Sequence, residues 1–336
     1  MLRSREVRLV RRPVGTPQPD DFRVCEVAVR ELRPGEVLVG NLILSVDPGQ
    51  RGFMAGQSSY VAGYELGAPM TGRCLGRVIR SRSRRYAEGA IVYHRFGWRE
   101  HAVVTDDQVN AVAPIDGVPL SAYLGVLGHP GLTAWVGVRE IARVRSGDTV
   151  VVSSAAGAVG SVAAQLARVR DGVRVIGIVG TASKAALVRE RLRVDDVLDY
   201  HVDDLAQALA EAAPEGVSVY FDNVGGAHLD AALAQMAIHG RVVVCGALST
   251  YNQAQPHALR NAPSIVAKRL MLQGLVAYDH EDRFQSLRDE VAPLLVDGTV
   301  TALETRYDGL EQAPGAFISL FGHANVGKTL VYLADC

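Results

Sequence analysis

The chain has 336 residues, and its 35 Lys and Arg residues nearly balance its 36 Asp and Glu residues, which gives a formal net charge of -1. Proteins that bind nucleic acids or acidic membrane surfaces usually carry a basic excess, so this balance argues against both partners. With 48% hydrophobic residues, a chain of this length buries a full core and is long enough for two domains.

The first 124 residues are rich in predicted β-strands. Short apolar runs such as residues 37–44 and 77–80 are separated by Gly and Pro turns, which is typical of strands. Two long uncharged stretches, residues 117–138 and 149–167, are interrupted by turn residues, so neither is predicted to span a membrane.

From about residue 125 the pattern changes to short apolar runs that alternate with helical segments rich in Ala and Leu. Strands that alternate with helices in this way predict right-handed crossovers and a doubly wound parallel sheet. The runs are six, the number of strands in a dinucleotide-binding fold: residues 150–153, 173–179, 197–200, 217–221, 241–246 and 270–276. A last helix at residues 310–321 and a last strand at 328–333 are predicted in the tail.

The first of these six runs leads into the sequence AAGAVGS at residues 155–161. This is a G-x-G-x-x-G turn with Ala155 in the first position. Gly157 and Gly160 stand where side-chain bulk would block the backbone from a pyrophosphate or the helix from the strand, and the helix N-terminus supplies N–H donors. The sequence therefore predicts a dinucleotide site here.

The end of the second run favours NADP over NAD. An NAD site offers an acid to the ribose 2'-hydroxyl, but residues 177–184 contain no acid and end in Lys184. Only three of the 35 basic residues are lysines, and a compact ammonium suits a phosphate monoester. Arg189 and Arg191 stay open as alternative phosphate ligands.

The cysteines give no sign of a structural metal or a disulfide framework. No two of them form a CxxC pair, and none lies in a close Cys/His cluster of the kind that structural zinc requires; they are Cys25, Cys74, Cys245 and Cys336. The N-terminus has charged residues and lacks the apolar segment of a signal peptide. We therefore expect a cytoplasmic protein without a bound metal.

Six segments together resemble the zinc-independent medium-chain dehydrogenases/reductases, and most closely the branch of the prostaglandin reductases, 2-alkenal (double-bond) reductases and curcumin reductase. They occur in the family's order from end to end of the chain: LSVDPGQRG (44–52), GHPGLTAW (128–135), SSAAGAVGSV (153–162), FDNVGG (221–226), VCGALSTYN (244–252) and NVGKTLVYL (325–333). The resemblance implies an α/β fold in which a Rossmann NADP-binding domain (residues 125–304) is inserted into a GroES-like β domain (residues 1–124 and 305–336). It also implies an active site in the cleft between them, and a homodimer.

The resemblance further implies which residues bind NADPH. The pyrophosphate would contact Ala158, Val159, Gly160 and Ser161, and the 2'-phosphate would contact Lys184 and Tyr200. The ribose and nicotinamide would be held by Asn223, the loop of Cys245, Gly246, Ala247, Leu248, Ser249, Thr250 and Tyr251, the segment of Leu275, Val276 and Ala277, and Asn325.

The expected reaction follows from a departure from the zinc alcohol dehydrogenases of the wider superfamily. Their GHE segment is replaced here by Gly63-Tyr64-Glu65, so no metal is expected to polarise an alcohol. The chemistry instead suits hydride addition to the β-carbon of an α,β-unsaturated ketone or aldehyde, with a hydrogen bond to the developing enolate. Tyr251 is the predicted catalytic donor, because a phenol stays protonated at neutral pH.

The substrate pocket is expected to differ from that of the family. Gly49 stands where the family usually has a tyrosine, so either the pocket is enlarged or Tyr60 or Tyr64 fills the gap. His129 replaces an apolar family residue and is either a substrate contact or a core histidine. Two other functions stay open, an NADPH-dependent quinone reductase and an NADPH-binding protein without catalysis.

Overall fold

The structure is a computed structural model, and it describes residues 2–56, 62–201, 204–253, 255, 257–322 and 324–333. The chain divides into two compact units, one formed by Met1–Leu124 with Glu304–Cys336 and the other by Gly125–Leu303. Each unit has its own hydrophobic core.

The N-terminal part of the first unit is almost entirely β-structure. Its strands are β1 (Arg3–Leu9), β2 (Phe22–Ala28), β3 (Glu36–Ser45), β4 (Cys74–Ser81), β5 (Ile91–His94), β6 (His101–Thr105) and β7 (Val109–Ala111). The described residues also form the short α-helix α1 (Gln50–Met54) and two 3₁₀ turns at Pro19–Asp21 and Leu120–Leu124. β1 and β2 form an antiparallel pair. β3 is paired with both β4 and β6. Nearly all of its residues are buried, because side chains from both of its faces belong to hydrophobic clusters.

The second unit alternates strands with helices. Its strands are β8 (Thr149–Val152), β9 (Arg174–Val179), β10 (Asp196–Asp199), β11 (Val217–Asp222), β12 (Met236–Val244) and β13 (Met271–Gly274). Its helices are α2 (His129–Val136, continued by a π-helical turn at Gly137–Ile141), α3 (Gly160–Arg168), α4 (Ala182–Leu192), α5 (Leu205–Ala212), α6 (Gly226–Gln235), α7 (Pro263–Ala267) and α8 (Phe284–Val296).

All strands of the second unit lie in one parallel sheet in the order β10-β9-β8-β11-β12-β13. Strands β8, β9 and β10 follow one another toward one edge of the sheet, and β11, β12 and β13 follow one another toward the other edge. The strand order therefore reverses between β8 and β11. Residues Val150–Val152 of β8 are fully buried, because helices cover both faces of such a sheet. The predicted doubly wound sheet is confirmed.

The tail of the chain returns to the first unit and completes its larger sheet. It contributes β14 (Glu304–Asp308), α9 (Ala313–Ser319) and β15 (Lys328–Tyr332). β15 pairs with β3 in antiparallel register, and β14 pairs with β15 in parallel register. The resulting seven-stranded sheet is mixed, and Phe317 of α9 packs in the core of this unit against Phe22 and Trp98.

Two elements differ from the sequence expectation. The helix predicted at residues 310–321 is a 3₁₀ turn at Leu310–Gln312 followed by α9, because Pro314 lacks an amide proton and is accommodated in the first turn of a helix. β12 begins five residues earlier than predicted, at Met236, and contains His239 with a positive φ of 61°. Among the described residues, none of the helices is both long enough and apolar enough to cross a membrane.

Candidate functional site

The glycine turn between β8 and α3 is packed so closely that one of its glycines has no substitute. A Cβ atom on Gly160 would lie 2.2 Å from the carbonyl oxygen of Ser154, which is a backbone atom and has little room to move. A Cβ atom on Gly157 would lie 2.8 Å from Ser154 Oγ, the end of a side chain that can rotate. Gly160 is therefore the stricter requirement of the two.

The same turn presents unused amide donors. The Gly157 N–H donates to Ser154 O (2.8 Å) and the Ser161 N–H donates to Gly157 O (3.0 Å). Between them, the N–H groups of Ala158, Val159 and Gly160 have no acceptor within the described ranges, and no side chain caps the helix. Unused N–H groups and the positive end of a helix dipole together bind anions, and phosphates in particular.

Lys184 lies in the first turn of α4, just beyond the end of β9. Its backbone N–H donates to the capping Thr181 Oγ1 (3.2 Å), which starts the helix here. The side chain is half-buried, and burial lowers the pKa of its ammonium group. In the part of the chain that the structure describes, this ammonium has no ion pair or hydrogen bond. A partly desolvated cation without a counter-charge is stabilised by an arriving anion.

Tyr200 follows β10 and lies against the end of β9. Its N–H donates to Val179 O (3.1 Å), and a Cβ atom on Gly180 would be only 2.7 Å from its ring. Glycine at position 180 therefore lets the ring rest on the backbone. Burial, with a smaller contribution from Asp199, raises the pKa of the phenol. Tyr200 and Lys184 thus follow the carboxyl ends of two neighbouring strands, β10 and β9.

Hydrogen bonds of Asn223 and Cys245 link the ends of three strands, β8, β11 and β12. The Asn223 side-chain amide donates to Ser153 O (2.7 Å), and the Cys245 thiol donates to Asn223 Oδ1 (3.2 Å). The Asn223 N–H also donates to Ser153 Oγ (2.8 Å). Burial and the nearby Asp222 raise the pKa of the Cys245 thiol well above its usual range, so it is a protonated structural group. Both polar ends of the Asn223 side chain are therefore engaged within the protein.

The loop after β12 and the segment after β13 lie next to each other. The Leu275 N–H donates to Val244 O (2.9 Å), so pairing between the two strands continues past the end of β13. Ser249 Oγ donates to Val224 O (2.7 Å) and Thr250 Oγ1 donates to Ala247 O (2.8 Å), which shapes a 3₁₀ turn at Leu248–Thr250. Tyr251 follows this turn and is half-buried.

Taken strand by strand, the predicted cofactor residues of the second unit share one location. Each follows the carboxyl end of one of six parallel strands, and these ends form a single edge of the sheet. In α/β sheets of this kind, ligands bind at that edge, where the strand order reverses. The reversal falls between β8 and β11, beside the glycine turn and Asn223.

His129 begins α2 and is buried, with 5% of its surface exposed. Its Nε2 lies 3.1 Å from Glu281 Oε1, and its ring packs against Tyr278 (5.2 Å between centroids) and Phe284 (5.4 Å). Its partners belong to the segment that immediately follows Leu275–Ala277. The sequence had not indicated this connection, because the residues are about 150 positions apart.

The remaining predicted residues lie in the first unit. Gly49 precedes α1, and a Cβ atom there would meet nothing within 4 Å. The Tyr64 side chain is buried, its hydroxyl donating to Thr71 O (2.6 Å) and accepting from Gln50 Nε2 (3.1 Å). Asn325 is half-buried just before β15. Tyr60 lies outside the described residues.

Sequence reasoning missed a buried charge pair that joins two of the family segments. Lys328, 3% exposed, donates from Nζ to Val46 O (2.5 Å) and lies 3.1 Å from Asp47 Oδ1. Burial alone would raise the pKa of Asp47, but Lys328 and Arg73 hold it well below its usual range. The pair fixes the segment before Gly49 to the segment after Asn325. The segments VDP and GK were visible in the sequence, but not that they meet.

No group of three or more His, Cys, Asp or Glu residues that could hold a metal ion occurs within the described ranges.

Comparison with known proteins agrees with this arrangement. A family model described as "N-terminal domain of oxidoreductase" matches residues 5–112, and one described as "Zinc-binding dehydrogenase" matches residues 158–292. The chain is 38% identical to prostaglandin reductase 1 of Bos taurus, over 98% of this chain and 99% of the relative. It is 36% identical to the NADPH-dependent curcumin reductase of Escherichia coli (strain K12), over 99% and 97%.

Among solved structures, CurA in complex with NADPH from Vibrio vulnificus has a TM-score of 0.93 to this chain, with 31% identity and coverage of 99% of this chain and 100% of that one. Identity of this level over nearly the full length of the chains, together with this structural similarity, establishes kinship. The chain therefore belongs to the medium-chain dehydrogenase/reductase superfamily, in the branch of the prostaglandin reductases, 2-alkenal reductases and curcumin reductases.

Proposed function

We propose that this protein reduces the carbon–carbon double bond of α,β-unsaturated ketones or aldehydes with NADPH. The proposal rests on one observation. At the edge of the six-stranded sheet, unused amide donors and the Lys184 ammonium group are available to bind phosphate groups. The relatives named for curcumin and prostaglandin reduction support the same substrate class.

The residues at this edge fit NADPH. Gly160 lets the start of α3 pack closely against the Ser154 carbonyl group, and the N–H groups of Ala158, Val159 and Gly160 would donate to the oxygens of a pyrophosphate. Lys184 would neutralise the 2'-phosphate, with Tyr200 beside it. The absence of an acid after β9 removes the group that would favour an unphosphorylated ribose. When bound, NADPH supplies a hydride.

The protein's own contribution is orientation and charge stabilisation. The β-carbon of the acceptor receives the hydride, and negative charge develops on the carbonyl oxygen. The Tyr251 hydroxyl, placed on the loop after β12, would donate a hydrogen bond to that oxygen; protonation at the α-carbon completes the reaction. Stabilising a charge that is absent from the bound substrate and develops on the way to the enolate raises the rate without tightening substrate binding.

We also propose that no metal assists the reaction. Gly63-Tyr64-Glu65 stands where the zinc alcohol dehydrogenases have GHE, and the Tyr64 hydroxyl is engaged with Gln50 and Thr71. An enone already has its β-carbon activated by the carbonyl group, so polarisation by a Lewis acid is not required.

The first unit is proposed to be the substrate domain, with Gly49 giving room for a bulkier acceptor. A homodimer and a cytoplasmic location are further proposals, which light scattering and cell fractionation test.

The direct experiment measures the oxidation of NADPH by enzyme treated with a metal chelator. Three groups of acceptors are compared: conjugated enals and enones, their saturated analogues, and quinones. We expect turnover with the enals and enones, no turnover with the saturated analogues, and products that keep the carbonyl group. Turnover of quinones alone, or alcohol products, would contradict the proposal.

A further inference from the structure

A second concave site lies at the opposite end of the six-stranded sheet from the cofactor edge. It is a cavity of about 610 Å³ between the turn that precedes β8 and the turn that precedes β9. The two turns are joined by the Gly147 N–H, which donates to Gly172 O (2.9 Å). Since these turns lead into the amino ends of parallel strands, the cavity is separate from the residues that follow the carboxyl ends.

Four arginines line this site, which we call the arginine cavity: Arg139, Arg143, Arg145 and Arg170. The only carboxylate in its lining, as far as the described residues show, is Asp171. Arg139 is paired with Glu290, but the proximity of the other three like charges is unfavourable unless counter-charge is supplied. In a chain with a net charge of -1, such an excess is a local feature and not a reflection of overall composition.

The nearby carboxylates leave much of this charge unneutralised. Asp148 is engaged by Arg241 (2.5 Å). Arg143 donates from Nε to the carbonyl oxygen of Glu140 (3.1 Å), which is not a charged partner. The exposed side chains of Arg145 and Arg170 form no ion pair and no hydrogen bond within the ranges that the structure describes.

Arg139 is the buried member of this group of arginines. Its side chain is only 10% exposed, and Glu290 binds its Nε (2.8 Å) and Nη2 (2.7 Å) edge. Its Nη1 is buried and lacks a hydrogen-bond partner in the described structure. A buried donor without an acceptor costs free energy, so Glu290 satisfies this guanidinium group only in part.

We propose that the arginine cavity binds a polyphosphate, a small ligand with at least two linked phosphate groups. Guanidinium groups bind phosphate oxygens in pairs, and several of them together match a multiply charged anion better than a single carboxylate. The volume lies in the range of small-molecule sites, about 300–1,000 Å³. The inference is independent of the proposed reduction reaction, because it uses none of the residues assigned to it.

The test is isothermal titration calorimetry on the full-length protein saturated with NADP⁺, so that the cofactor edge is filled. Tripolyphosphate and ATP are titrated separately in low-salt buffer, because salt screens exposed charges. We expect one saturable site per chain for both ligands. Equal affinities would mean that the phosphate chain alone is recognised, and tighter binding of ATP would mean that the nucleoside also contributes.

Three variants, two that should weaken binding and one that should tighten it, sharpen the test. Arg145→Ala and Arg170→Ala should each weaken binding about tenfold, since each removes a charged donor. Asp171→Asn should tighten binding about threefold, since it removes a repulsive charge near the rim of the ligand. All three side chains are exposed, so the fold should be kept, and circular dichroism melts verify this.

The matched control is the double variant Arg77→Ala/Arg80→Ala, which removes two exposed arginines from β4 in the other unit. It should bind both ligands as the wild type does. An absence of saturable binding, or an equal loss in the control and in the Arg145→Ala and Arg170→Ala variants, would overturn the proposal, and so would a weaker affinity of Asp171→Asn.

Discussion

Replacing Lys184 with alanine tests the assignment of the 2'-phosphate site. The change removes one half-buried ammonium group at the start of α4, while the Thr181 cap, which uses the backbone N–H of residue 184, is retained. Because alanine is a good helix former, we expect the helix to persist. The variant therefore isolates the charge from the local structure.

The expected magnitude follows from the environment of the ammonium group. A hydrogen bond to a charged group contributes about 1.5–3 kcal/mol. Since Lys184 is only half-buried, water screens part of this energy, and we take about 1.5–2 kcal/mol. The KM for NADPH should therefore rise about 10- to 30-fold. NADH has no 2'-phosphate, so its KM should change less than about twofold by the same reasoning.

The assay is steady-state kinetics with both cofactors at a saturating enone concentration. Arg191→Ala is the matched control, because this exposed arginine lies on the same helix and was an alternative phosphate ligand. It should leave the NADPH preference intact. If Lys184→Ala raises both KM values by the same factor, or if Arg191→Ala removes the preference, the 2'-phosphate assignment is wrong.

Three further predictions address the reaction, the glycine turn and the pH dependence of stability. Tyr251→Phe should lower kcat about 100-fold with little change in the KM for NADPH, and an unchanged kcat would remove Tyr251 as the donor. Gly160→Ala should weaken NADPH binding far more than Gly157→Ala, because its Cβ atom would meet the Ser154 carbonyl oxygen at 2.2 Å and not a rotatable hydroxyl; equal fluorescence titrations of the two variants would contradict this. His94 is buried and neutral, since burial lowers its pKa from 6.5 to about 3. Below about pH 6.5 the unfolded chain binds a proton that the folded protein does not accept, so the free energy of unfolding should fall by about 1.4 kcal/mol per pH unit. His94→Gln should remove this part of the pH dependence in urea unfolding experiments, and an unchanged slope would show that the histidine is protonated in the fold.

The alternation of strands and helices was readable from sequence because the local pattern and the overall topology agree. Parallel strands buried on both faces appear as short apolar runs, and a right-handed crossover leaves one doubly wound arrangement. Element boundaries were less accessible. Whether Pro314 interrupts a helix or begins one, and whether His239 with its positive φ ends β12, depends on packing that the local sequence does not specify.

In the candidate site, too, some features could be predicted from the sequence and others could not. The positions of the glycine turn and of Lys184, each just after a strand, were predictable, because they follow from the local pattern of strands and helices. The partners of His129 and Lys328 were not, since Glu281 and Asp47 lie far away in the chain and meet them only in the folded protein. For such residues, burial in the folded protein determines whether the side chain is available to a ligand or engaged within the protein. Both ends of the Asn223 side chain are used within the protein, which no motif indicates.

The central claim is that hydride from NADPH reaches the β-carbon of a conjugated carbonyl compound without help from a metal. The most direct measurement uses enzyme from which metal has been removed with a chelator. This enzyme reduces an enone with NADPH deuterated at nicotinamide C4 on one face or the other, and the product is analysed by NMR. The account predicts that deuterium from one of the two faces appears at the β-carbon of a saturated ketone. Deuterium on the carbonyl carbon, or loss of turnover on chelation that returns when metal is added, would contradict it.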